Sequence, residues 1–159
     1  MIIEKQKNNK VYIQLSNLED VSITDIQNRI VDISKIFILK INYIRLTSSS
    51  NEIVKYIKNT FDIENILLLN KKNSVILYFK LEIEKIYKLL AVLNIDNKSM
   101  IEIFNFEHEL DLPLFAQSQE SESICYICIS DNDGPFIIFD KNKYNITEVA
   151  SKIKNILKS

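Results

Sequence analysis

The chain has 159 residues, 47% of them apolar and 26% charged, and its 20 basic and 21 acidic side chains leave a net charge of −1 and a pI near 5.9. That is chain enough for one globular domain with a core of Ile, Leu, Val and Phe, which excludes a disordered polymer and argues against a strongly basic nucleic-acid binder. No apolar run approaches the ~18 residues of a membrane helix, the N-terminus turns polar after Ile3 and so lacks the core of a signal peptide, and Cys125 and Cys128 alone make no disulfide framework.

Val11 to Leu15 alternates and predicts a strand. Ser22 with Asp25 forms a weak capping box, and Ile23, Ile26, Ile30, Ile33 and Phe37 follow at spacings of three and four, one face of a helix. Lys40 to Leu46 is a second strand. Ser49 with Glu52 caps a helix marked by Ile53, Ile57 and Phe61. Ile63 to Leu69 and Ser74 to Phe79 are apolar runs joined by Asn70-Lys71-Lys72-Asn73, a hairpin signal. Ile83, Ile86, Tyr87, Leu90 and Leu93 form a third helical stripe, and Ser99 to Phe106 is a strand. Glu107 to Glu122 is irregular and contains Pro113. Ser123 to Ile129 and Pro135 to Phe139 are strands about the turn Asp131-Asn132-Asp133-Gly134. Asn145 with Glu148 caps a last helix carrying Ile146, Val149, Ile153 and Ile156.

This order predicts a single α+β domain over residues 1–159, with residues 1–9 as a flexible extension. Its sheet is mixed and mostly antiparallel, with about four helices packed on it. Ile26, Ile30, Ile33, Ile57, Ile86, Leu90, Val149 and Ile153 are expected in the core, facing the sheet.

The composition also limits chemistry. There are 29 Ile, 18 Lys and 17 Asn against two Arg and one Gly, the residue bias of an AT-rich gene, which lowers the weight of any Lys or Asn count. With Gly134 alone, neither GxGxxG nor GxxxxGK[ST] can be written, so phosphate-cradling loops of those types are excluded.

Cys125 and Cys128 form a CxxC, but within Ile124-Cys125-Tyr126-Ile127-Cys128-Ile129, which reads as a strand. Residues three apart on a strand point to opposite faces, so the two thiols are expected to serve as packing residues. Asp131, Asp133 and Gly134 share part of a calcium-loop pattern. Counting back from the glycine puts Ile129 at the first ligand position, where an oxygen is required, and no metal is expected. Glu107, His108, Glu109 and Asp111 are the densest polar cluster. A His beside carboxylates can serve as a base, whereas the plainer reading is a solvated loop with no catalytic residue and no cofactor.

Charge layout is the strongest signal. From Ser99 to Asp140 there is no Lys or Arg, while Glu102, Glu107, Glu109, Asp111, Glu120, Glu122, Asp131, Asp133 and Asp140 give −9 over 42 residues, against +8 for the rest of the chain. If contiguous in space, such a segment steers a basic partner and rejects an acidic one. The plainer reading is acidic loops that keep the domain soluble. Leu110, Leu112, Leu114 and Phe115 within the first loop either anchor it to the core or offer contact residues to a partner.

The C-terminal third resembles the end of the SUKH superfamily. The resemblance lies in Asp111-Leu112-Pro113-Leu114-Phe115-Ala116, in Ser123 to Cys128, in Asp131-Asn132-Asp133-Gly134-Pro135-Phe136-Ile137-Ile138-Phe139-Asp140, and in the final helix Ile146 to Leu157. That family's N-terminal helix with its Leu-Pro and Gly-rich continuation has no counterpart here. The resemblance implies an α+β immunity protein that binds and neutralises a bacterial toxin, and it implies no catalytic residues.

The expectation from sequence is therefore a non-enzymatic, cytoplasmic protein-binding domain. Its contact residues are Glu107, Glu109, Asp111, Glu120, Glu122, Asp131 and Asp133, and its partner has a basic surface, such as a nuclease-type toxin. Direct contact with nucleic acid or membrane is not expected, and the oligomeric state is open. The alternatives are a small enzyme or metal-dependent domain using residues 107–111, and a scaffold or regulatory subunit.

Overall fold

The computed structural model describes residues 2–5, 9–15, 23–37, 41–61, 63, 65–96, 98–130 and 135–158, with the backbone alone over 2–5 and 23–27. The chain is an α+β domain built on one eight-stranded sheet. In chain order the strands are β1 (Ile2–Lys5), β2 (Lys10–Gln14), β3 (Ile41–Ser48), β4 (Leu67–Lys71), β5 (Ser74–Glu82), β6 (Met100–Asn105), β7 (Cys125–Ile129) and β8 (Phe136–Asp140). The helices are α1 (Ile23–Ile36), α2 (Glu52–Phe61), α3 (Ile86–Leu90), α4 (Val92–Ile95), α5 (Leu112–Gln117) and α6 (Ile146–Lys158). Across the sheet the order is β1-β2-β8-β7-β6-β3-β5-β4, and every neighbouring pair is antiparallel. The α+β architecture and the mostly antiparallel sheet read from the sequence are thus what the chain adopts, with neighbouring strands joined by hairpins or by longer returns.

Strand alternation builds two unequal cores, since successive side chains point to opposite faces. One face carries Val11, Ile13, Ile44, Leu46, Leu77, Phe79, Ile101, Ile103, Ile127, Ile137 and Phe139, all buried under the longer helices. Ile30, Ile33, Ile57, Ile86, Leu90, Val149 and Ile153 meet it from the helix side, as their spacing predicts. The side chain of Ile26 lies outside the described residues. The other face carries a smaller, aromatic cluster of Tyr43, Tyr78, Phe104, Tyr126 and Cys128, covered by Phe115.

Several local readings hold and others shift. Asn145 Oδ1 accepts from Glu148 N–H at 3.0 Å, so α6 starts at the predicted cap. The cap of α2 is Ser50, whose hydroxyl accepts from Glu52 N–H at 3.3 Å, and not Ser49. Ser49 is instead drawn to Asp96, on the turn before β6, which accepts from both its N–H and its hydroxyl. The third helical stripe is broken into a 3-10 turn (Ile83–Lys85), α3 and α4. The N-terminal segment, read as a flexible extension, contributes β1, which pairs with β2 from Ile2↔Gln14 to Lys5↔Val11. The Ser22–Asp25 cap and the Asp131–Gly134 turn lie outside the described residues or side chains.

Candidate functional site

The segment between β6 and β7, read from sequence as irregular, folds back over the aromatic face of the sheet. Asp111 ends an extended stretch and its Oδ1 accepts from Leu114 N–H at 2.9 Å, so it is the N-cap of α5. Pro113 in the first turn needs no N–H partner there. The helix is short and its main anchor is Phe115, with Leu112 and Ala116 packed against the same cluster. Phe115 is fully buried, with ring centroids 5.2 to 5.9 Å from Tyr43, Tyr78, Phe104 and Phe106. Tyr43 adds a polar tether, its hydroxyl accepting from Leu110 N–H at 2.9 Å. Of the apolar residues in this segment, Phe115 is the anchor and Leu114, 53% exposed, is left on the surface.

The described carboxylates of the acidic stretch differ in their partners. Glu107, Glu109, Asp111, Glu120 and Glu122 are all exposed. Glu107 accepts from Lys143 at 2.9 Å and Glu109 from Lys80 at 3.3 Å. The Lys143 ammonium holds the Glu107 carboxyl below the usual range and is itself held above its own. Asp140 turns inward to the following loop, accepting from Asn142 N–H at 2.8 Å. Basic residues from distant parts of the sequence thus fold onto the acidic stretch. Among the described residues, Glu120 and Glu122 have no basic side chain within 4.0 Å. Asp131 and Asp133 lie outside the described residues.

Glu102, the remaining acid of the stretch, is 2% exposed. It sits opposite Arg45 in the β3–β6 register. Arg45 binds it with two parallel bonds, Nε to Oε1 at 2.7 Å and Nη2 to Oε2 at 2.5 Å, and the Tyr126 hydroxyl donates to Oε2 at 2.5 Å. The guanidinium lies 5.0 Å over the Phe104 ring. Burial works against the charge of Arg45, and the Glu102 bonds and charge more than offset it, so its affinity for a proton rises. Burial, then the bond to Glu102, push the Tyr126 phenol up. Both oxygens of Glu102 are engaged, so this network pins strands together and offers no group for proton transfer. Sequence reading missed it. An arginine inside an apolar strand was the available signal, and only the register supplies its partner.

Two shallow grooves flank α5. One, of about 430 Å³, is lined by Phe106, Glu107, His108, Leu110, Leu114 and Glu122 among others. The second, of about 740 Å³, lies between Ile63, Ile66 and Leu67 and the start of α5, with Lys80 and Asp111 on its walls. The 107–111 cluster is therefore divided, with Glu107 and His108 in one groove and Asp111 in the other. Among the described residues no three His, Cys, Asp or Glu side chains stand close enough to share a metal ion. Cys125 and Cys128 form no disulfide and are buried, Cys125 in the helix-side core and Cys128 in the aromatic one, which is the opposite-face placement that the strand reading predicts.

No helix among the described residues is long and apolar enough to cross a membrane. A scan against protein-family models finds no match, and comparisons with curated proteins and with solved structures find none either.

Proposed function

We propose that this chain is a non-enzymatic protein-binding domain of the toxin-immunity type, which occludes a basic surface of its partner with the segment between β6 and β7. The observation that carries the reading is the pair Glu120 and Glu122. Both are exposed in a 3-10 turn (Glu120–Glu122) without a basic neighbour among the described residues, and Glu122 lines the same groove as the exposed Leu114. An unneutralised pair of carboxylates at a groove that also holds an exposed leucine suits a lysine or arginine of a partner, whose stem packs on Leu114 while its head meets the acids. Phe115 holds the segment on a rigid sheet, so little ordering is lost on binding. The resemblance of the C-terminal third to the SUKH immunity proteins points the same way. A nuclease-type toxin is a fitting partner because its nucleic-acid surface is basic.

The test is association kinetics with the product of an adjacent toxin-like reading frame. Glu120→Gln with Glu122→Gln lowers the on-rate by about tenfold at low salt, and the difference vanishes as salt screens exposed charge. Adding Asp131→Asn and Asp133→Asn weakens binding further, with the fold retained. An affinity indifferent to all four changes and to ionic strength overturns the reading.

A further inference from the structure

The sheet ends at β4, so among the described residues one side of that strand's backbone has no neighbouring strand. Edge strands of monomers are blocked by a charge, a proline or a bulge. Leu67-Leu68-Leu69 has none of these. Its register with β5 runs unbroken from Leu67↔Tyr78 to Lys71↔Ser74, and Leu68 and Leu69 are 38% and 40% exposed on opposite faces. The larger groove opens beside Leu67, on the face that α5 covers.

We propose that β4 pairs antiparallel with β4 of a second copy, about a two-fold axis at Leu68, joining two sheets into one. Paired residues of an antiparallel ladder share a face. Centring on Leu68 sets Leu68 against its own copy and Leu67 against Leu69 twice, so all six leucines meet leucine. Centring on Leu69 sets Lys71 against Leu67 and wastes the apolar match. With Leu68 at the axis, Lys71 of the second copy falls opposite Asn65, on the wall of the groove that also holds Asp111. Lys71 and Asp111 are both exposed and, among the described residues, neither has an ion-pair partner. The dimer brings them together twice. A foreign strand satisfies the backbone but not this reciprocal charge pairing, and pairing of β4 with β1 of another copy would propagate instead of closing.

Sedimentation equilibrium of the full chain is expected to give twice the 18.6 kDa protomer mass. Leu68→Lys places two like charges at the axis and raises the dimer dissociation constant at least about tenfold, with the far-UV circular dichroism unchanged and the concentration dependence of melting reduced. Lys71→Glu weakens the dimer as well. Under oxidation Leu68→Cys cross-links to its own copy, whereas Asn70→Cys, four residues from its copy along the ladder, does not. A protomer mass at every concentration up to about 1 mM, a dimer indifferent to Leu68→Lys, or cross-linking at position 70 in place of 68 overturns the proposal.

Discussion

At the scale of single residues, the Arg45–Glu102–Tyr126 network decides more than its size suggests. A carboxylate that is 2% exposed depends on partners that stay in place. Arg45→Met leaves Glu102 buried and uncompensated, and the expected loss of unfolding free energy in urea is about 3 kcal/mol, the low end for a broken buried pair, because the Arg45 side chain keeps 22% of its exposure. The double change Arg45→Met with Glu102→Met costs less than the single one, since no charge is stranded. Tyr126→Phe removes one bond to a charged group and costs about 1.5–3 kcal/mol. A double variant less stable than Arg45→Met alone refutes this account.

Asp96 sets a pH dependence. Burial opposes its charge, but the Ser48 hydroxyl, the Lys98 and Ser49 N–H groups and the Ser49 hydroxyl outweigh it and hold the carboxyl below its ordinary 3.8. A carboxyl with a depressed folded value stabilises the fold above 3.8 and loses that contribution as pH falls through the folded value. Ser48→Ala is thus destabilising at neutral pH, and the gap from the parent narrows on acidification below 3.8. Urea titrations at a series of pH values read both. A gap that stays constant with pH means that Ser48 acts by packing alone.

At the scale of elements, α5 is the part whose position matters most for binding. A helix of six residues has no stability of its own, so its cap and its anchor must supply it. Phe115→Ala empties a fully buried site among four rings and costs about 3–5 kcal/mol. Hydrogen exchange should then rise over residues 107–123 before it rises in β3 or β6. Asp111→Ala removes the cap at a cost of about 1 kcal/mol. In a complex formed through Glu120 and Glu122, both changes weaken binding, although Phe115 is buried beneath the contact surface. Uniform exchange across the sheet after Phe115→Ala would instead make α5 part of one cooperative unit.

For the whole molecule, the eight-stranded sheet separates two environments. The helix side buries a broad aliphatic core, and the other side is a narrower aromatic cluster under a single short helix. The two cysteines report on both. Burial pushes the Cys125 thiol well above its ordinary range, and Cys128 is 4% exposed. A thiol reagent should label neither in the folded protein and both at the global unfolding rate. Faster labelling of Cys128 than of Cys125 would show that the aromatic side opens by itself.

The sequence by itself determined the elements that obey one period. Ile53, Ile57 and Phe61, or Val149 and Ile153, can face only one way on a helix, and the alternation of Val11 to Leu15 fits only a half-buried strand. It also determined that Cys125 and Cys128 part to opposite faces, because strand geometry is local. What depends on residues far apart in the chain required the tertiary structure. α5 was not legible because its support is Phe115 against four rings from β3, β5 and the end of β6, with too few turns for a period. The acidic stretch is a run of nine unopposed charges in sequence, yet folding brings Arg45, Lys80 and Lys143 to Glu102, Glu109 and Glu107. Coulomb interactions depend on distance in space, and sheet order and register set that distance.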